Sequence, residues 1–291
     1  MISGFADEIC DDFETQLQVV SKLGMKYICV RSVSIDGVRK SIADTTVEEA
    51  RDVLLPLMNK YGIKVSSIGS PIGKIKCGDE EAFAQQCTQL DTLCQIANLF
   101  GAKYIRIFSF YPPEKGEDPT PYKDEVLAKM TKFIEICDKY SVIPVHENEK
   151  GIYGDIGPRC LELLEYFKNT SLRAAYDFAN FVQCGDDPVK AYELVKPYID
   201  YIHIKDADAK TGKNVLCGTG DGHIKELLTD AFASGYNGFL TMEPHLHIFS
   251  SLKSLEQGDA AEVIAKNSFA DGATAYGAQY KALCEILETI A

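Results

Sequence analysis

Eight short runs rich in β-branched and aromatic residues recur along the 291-residue chain, and each is followed by a longer stretch with helical spacing. The runs are ISGFA (2–6), KYICVR (26–31), KVSSIG (64–69), KYIRIF (103–108), VIPVHE (142–147), LRAAYD (172–177), DYIHIK (200–205) and GFLTME (238–243). Between them, Phe13, Leu17, Val20 and Leu23 form one apolar stripe, and Val53, Leu54 and Leu57 another. Thr46 with Glu49 three residues on reads as a capping box opening a helix over 46–61. Residues 81–100 contain no Gly or Pro and read as one long helix. Gly24, Gly62, Gly101 and Gly235 each stand between a helical stretch and the next strand, where a left-handed helix cap is needed.

Strands that alternate with helices pair in parallel, and eight such units predict closure into a (β/α)8 TIM barrel. One domain spanning 1–291 is the expectation, with a long connection at 244–271 after the eighth strand. A doubly wound open sheet is the alternative. It usually carries a Gly-rich phosphate turn after its first strand. Here that place reads FADEICDDF. GTGDG at 218–222 is Gly-rich, but it does not directly follow a strand and is read as a βα loop.

The net charge of −13 argues against a nucleic-acid partner, because binding phosphates needs a basic surface. No run of about 18 apolar residues is present to span a membrane. The opening MISGFADEIC has neither the basic nor the apolar region of a secretory signal. The ten cysteines form no CxxC pair and lie in apolar segments, so they are expected to be reduced core thiols of a cytoplasmic protein.

The fifth run ends unusually. An apolar stretch leads straight into His146, Glu147, Asn148 and Glu149, where a turn residue would be ordinary. In a (β/α)8 barrel, catalytic groups stand where strands end. The sixth run ends in Asp177, the seventh carries His203 and the eighth ends in Glu243. Four consecutive strands about 4.8 Å apart would therefore bring Glu147, Asp177, His203 and Glu243 together. Three carboxylates that close repel unless a cation joins them. Oxygen ligands plus one imidazole suit one divalent ion: Mn²⁺, Mg²⁺ or Co²⁺, with Zn²⁺ also admitted. Such an ion would acidify a C–H beside a carbonyl, and Glu147 and Glu243 would serve as the proton-transferring pair.

The segments VHENEKG, YDFAN, YIHIKD and GFLTMEP resemble successive strand ends of the sugar isomerase/epimerase superfamily with a xylose-isomerase-like barrel. That group includes ketose 3-epimerases, hydroxypyruvate isomerase, inosose dehydratase and metal-dependent AP endonucleases. The resemblance implies Glu147, Asp177, His203 and Glu243 as metal ligands, with the two glutamates as the acid/base pair. It implies a small sugar or polyol substrate, phosphorylated or not, and leaves open a homo-oligomer. Two positions depart from the pattern. Relatives commonly carry His where this chain has Glu149 and Asn180, both expected to line the substrate pocket. The third and fourth strands lack the histidines of the nuclease branch. An isomerase or epimerase is thus expected, with an inosose-type dehydratase or a binding-only barrel as alternatives.

Other rim residues have two readings each. Lys205 and Arg31 would contact substrate or form internal ion pairs, and Arg106 would pair with a carboxylate. His146 should point outward by strand alternation. Glu8 is placed at the barrel mouth and His223 as a helix cap. Phe110 and Tyr111 are read as a pocket wall. His245 and His247 are read as solvated loop histidines.

Overall fold

The computed structural model describes residues 1–250, 252, 264 and 269–290. Eight parallel strands form the predicted barrel: β1 (Ile2–Gly4), β2 (Tyr27–Val30), β3 (Lys64–Ile68), β4 (Tyr104–Ile107), β5 (Ile143–Glu147), β6 (Arg173–Asp177), β7 (Ile199–Ile204) and β8 (Phe239–Met242). Each lies within two residues of its expected bounds. The hydrogen-bonded order runs from β1 through β8, β7, β6, β5, β4 and β3 to β2. A single bridge between Phe5 and Cys29 joins the two ends.

Helices Phe13–Lys22, Glu80–Phe100, Lys123–Lys139, Gly157–Tyr166, Ile224–Ala233 and Gly272–Ile290 surround the sheet. The Thr46–Glu49 capping box is present with both of its hydrogen bonds. The helix it opens is broken by a π-helical segment at Ala50–Leu54. Pro56 lies just beyond, and it has no N–H to continue an α-helical ladder. Gly62 and Gly101 are left-handed caps, as their positions required.

A hairpin outside the barrel sheet was not foreseen: Ser32–Ile35 pairs antiparallel with Val38–Ser41. Its turn is Asp36-Gly37, with both residues at positive φ, a strong hairpin signal. Most of the long connection at 244–271 lies outside the described residues. Of its described part, Phe249, Leu252 and Ile264 form a small apolar cluster.

The interior of the barrel is layered by the two-residue alternation of strands. Val145, Ala175, Tyr201 and Phe239 pack together inside its lower part. Above them Tyr201 shares hydrogen bonds with Ser66 (2.8 Å) and Thr241 (2.6 Å). Two residues beyond Val145, Ala175 and Tyr201 come Glu147, Asp177 and His203, and Glu243 lies two residues beyond Thr241. Register fixes this: His203 stands opposite Asp177 and Thr241, and Glu147 opposite Ala175. Offsets of zero or two keep all four side chains on the inner face. His146 points the other way, as alternation predicts, and bonds Ser109 Oγ at 2.9 Å.

Candidate metal centre

Glu147, Asp177, His203 and Glu243 each present one ligating atom, and these atoms all lie within 4.8 Å of one another. His203 Nδ1 is 2.9 Å from Glu147 Oε1, 3.5 Å from Glu243 Oε2 and 4.0 Å from Asp177 Oδ2. All four residues are buried.

Each carboxylate has one oxygen committed elsewhere. Glu147 Oε2 accepts from Arg106 Nη1 at 2.9 Å. Glu243 Oε1 accepts from Arg31 Nη1 at 2.7 Å. Asp177 Oδ1 accepts from the backbone N–H of Asn180 at 2.8 Å, capping the helix Phe178–Gln183. The second oxygens face inward. Asp177 Oδ2 and Glu243 Oε2 are buried and have no hydrogen-bond donor, although Lys205 Nζ stands 3.3 and 3.6 Å from them. Buried carboxylate oxygens without a hydrogen-bond donor are rare, and a bound cation is one arrangement that would satisfy them. The donor set therefore fits a divalent ion, and the buried cluster could hold one.

The charge balance points the same way. Five buried carboxylates, on Asp7, Glu8, Glu147, Asp177 and Glu243, meet three permanent cations, Arg31, Arg106 and Lys205. Two negative charges are left over when all five are ionised, which is the charge of one divalent ion. Protonation is the other way to balance that charge. Burial would lower the His203 pKa, but Glu147 and Glu243 outweigh it and raise it to about 9. Burial raises Glu8 to about 8 against the pull of Arg31, and Asp177 to about 7 against Lys205. Burial also works against the charge of Glu147, yet His203 and Arg106 bring it down to about 2. Lys205 and His203 hold Glu243 well below the carboxylate range despite its burial.

The amide in HENE has a positional role. Asn148 Oδ1 accepts from the Asp177 N–H at 2.9 Å, and its Nδ2 donates to the Asp177 carbonyl at 3.0 Å. It ties the ends of β5 and β6 together. Asn180 Nδ2 donates to the Asn148 carbonyl at 2.7 Å and approaches Glu147 Oε1 at 3.4 Å. Glu149 pairs with Lys74 at 2.6 Å. Arg31 also bonds Asp7 at 2.9 Å and Glu8 at 3.3 Å. Lys205 pairs with Asp177 and Glu243, not with its neighbour Asp206.

Asp206 has a different task. Its carboxylate accepts 2.9 Å hydrogen bonds from the N–H groups of Ala207, Gly218, Gly220 and Gly222. The GTGDG loop thus wraps an internal carboxylate and has no free amides of this set for a phosphate. A Cβ at Gly220 would come within 2.5 Å of the Ala207 carbonyl oxygen.

Three expectations are corrected. His245 is not a solvated loop residue: it is buried, with Nε2 3.5 Å from Glu8 and 3.6 Å from Glu243. Phe110 is no pocket wall but stacks on Phe133 in the core. His223 occupies the N-cap position of Ile224–Ala233, yet its ring meets Glu226 at 3.0 Å and caps no backbone N–H. His247 is half-buried. Glu8 does stand at the mouth, as expected, and Arg106 does pair with a carboxylate.

Comparison with known proteins bears on this arrangement. Residues 17–266 match the model of the xylose isomerase-like TIM barrel family. The chain belongs to that family. An L-ribulose 3-epimerase structure superimposes with a TM-score of 0.73 at 18% identity, covering 99% of this chain and 95% of that one. A xylose isomerase-like barrel from Mycobacterium smegmatis in complex with magnesium does so with a TM-score of 0.68 at 14% identity, covering 95% and 88%. Over 129 residues the chain is 26% identical to 3-dehydroshikimate dehydratase of Bacillus anthracis, covering 44% of each. It spans about half the length of the curated relatives it matches. Among the described residues, no helix is long and apolar enough to cross a membrane.

Proposed function

We propose that this chain is a divalent-metal-dependent isomerase or epimerase of a small sugar or polyol, working by proton transfer between carboxylates and an enediolate. One observation carries the reading: four buried ligating atoms within 4.8 Å, two of them carboxylate oxygens with no donor. Glu147, Asp177, His203 and Glu243 would hold the ion. When bound, it polarises a substrate carbonyl and acidifies the adjacent C–H.

The protein's own groups do the rest. Glu147 ends β5 and Glu243 directly follows β8, with β6 and β7 between them, so they reach the substrate from different sides. Each is pinned through one oxygen by an arginine and offers the other inward. One removes the proton and the other returns it to the opposite face. Their low pKa values make them weak bases, so they act only on a strongly acidified C–H. Lys205 Nζ carries a fixed positive charge beside the place where oxyanion charge develops.

A dehydratase is the second reading, favoured by the stretch similar to 3-dehydroshikimate dehydratase. There the same base would act, and a hydroxyl would leave as water. Incubation with Mn²⁺ and a panel of ketoses and cyclic ketones in deuterated water separates the two. Deuterium entering a C–H without new absorbance supports isomerisation or epimerisation; growing enone absorbance supports dehydration. Full turnover by Glu243→Gln would refute both.

A further inference from the structure

Among the described buried histidines, His245 is the one whose ring makes no hydrogen bond. His146 bonds Ser109 and His203 bonds Glu147, both at 2.9 Å, whereas neither nitrogen of His245 has a partner. The residue is 3% exposed, so bulk water does not reach the ring. Its nearest oxygens, Glu8 Oε1 and Glu243 Oε1, are 3.5 and 3.6 Å away and already engaged by Arg31.

The backbone is bent to put it there. His245 has φ +47°, a left-handed conformation that non-glycine residues rarely adopt. Its N–H donates to Glu8 Oε2 at 2.7 Å, which fixes that geometry. The ring of Phe249 packs against the imidazole at 5.3 Å. Strain of this kind, held by a buried hydrogen bond, is characteristic of ligand-binding positions.

A second metal ion is a poor occupant for this place. Glu8, Glu243 and His245 do form a set of suitable atoms. Arg31, however, already sets a permanent positive charge within 2.7 and 3.3 Å of the carboxylate oxygens. What the imidazole lacks is a neutral partner able to donate or accept, and it lacks it two residues beyond Glu243.

We infer that His245 is a direct substrate contact, its ring bonding a hydroxyl or carbonyl oxygen of the polyhydroxylated carbon chain beside the reacting carbon. This rests on the proposed function, and it deepens it by adding a residue outside the ion-binding set. It makes His245 a determinant of which hydroxyl pattern the site accepts.

Calorimetry on wild type, His245→Gly and His245→Asn tests it, with Mn²⁺ and then xylitol as probes. Glycine removes the ring and relieves the left-handed strain, so the variant keeps its fold; asparagine tolerates that conformation and retains a polar group. Mn²⁺ affinity should change by less than about threefold, while xylitol affinity of the Mn²⁺-loaded protein should fall about tenfold in His245→Gly, the weight of one good hydrogen bond. His245→Asn should recover part of it. Unchanged xylitol binding in His245→Gly overturns the inference. So does loss of Mn²⁺ affinity, which would make His245 a metal ligand, and so does a wild type that binds no xylitol. If wild type binds xylitol through His245 but exchanges no C–H of any ketose, the contact stands and the proposed reaction fails.

Discussion

Binding of a divalent ion should expel protons, and the number is set by the site. At pH 7, His203 with a pKa of about 9 is almost fully protonated, and its Nδ1 has no lone pair for an ion. Glu8, at about 8, is mostly protonated, and Asp177, at about 7, is half so. The ion's charge pulls all three toward their basic forms. Roughly two protons should leave, matching the two uncompensated negative charges. The sign follows from the direction of the shifts. Raised pKa values mean protons compete with the ion, so affinity rises with pH and levels off above about pH 9, past the His203 pKa. Near neutrality the gain should approach two decades per pH unit, less where Asp177 is already ionised. Calorimetric titration of Mn²⁺ at pH 7 in two buffers of different ionisation enthalpy counts the protons directly. A count of zero, with affinity flat from pH 6 to 8, would refute the reasoning, because it would mean that no buried imidazole or acid exchanges its proton for the ion.

Gly220→Ala should lower the thermal midpoint by several degrees, since its Cβ meets backbone 2.5 Å away and the Asp206 cradle must open, at a cost of about 1–3 kcal/mol; an unchanged melting curve would contradict the packing. Arg106→Met leaves Glu147 without its guanidinium. It should destabilise the ion-free protein by about 3 kcal/mol and enlarge the midpoint increase on adding Mn²⁺. Equal Mn²⁺-induced increases in variant and wild type would show that the arginine does not share the ion's charge-balancing role. The cysteines are all free, the closest pair being Cys94 and Cys137 with sulfurs 3.9 Å apart, so unfolding without reductant should release ten titratable thiols.

The strands were legible because each is a short apolar run with β-branched or aromatic residues, and four of them follow a glycine placed just after a helix; both signals are local. The four inward groups were legible because a parallel barrel aligns its strand ends; even offsets in register do the rest. The charge partners were only half visible. Arg31 and Arg106 sit on strands where a guanidinium serves substrate or carboxylate equally well, and only the fold shows Glu243 and Glu147 beside them. Asp206 and its glycines are up to sixteen residues apart, so nothing local links them. His245 was misread because its burial depends on the chain turning back over the mouth to meet Glu8, a contact across 237 residues. The Asp36-Gly37 hairpin was the one miss with a clear local signal: a turn pair flanked by alternating residues.

The proposed chemistry needs one shared ion held at the ends of β5, β6, β7 and β8. Diffraction from crystals soaked in Mn²⁺, collected at its absorption edge, locates that ion directly. A single anomalous peak bonded to Glu147, Asp177, His203 and Glu243 is the predicted result. A peak elsewhere, or none at saturating Mn²⁺ with the Lys205–Asp177 pair intact, would contradict it.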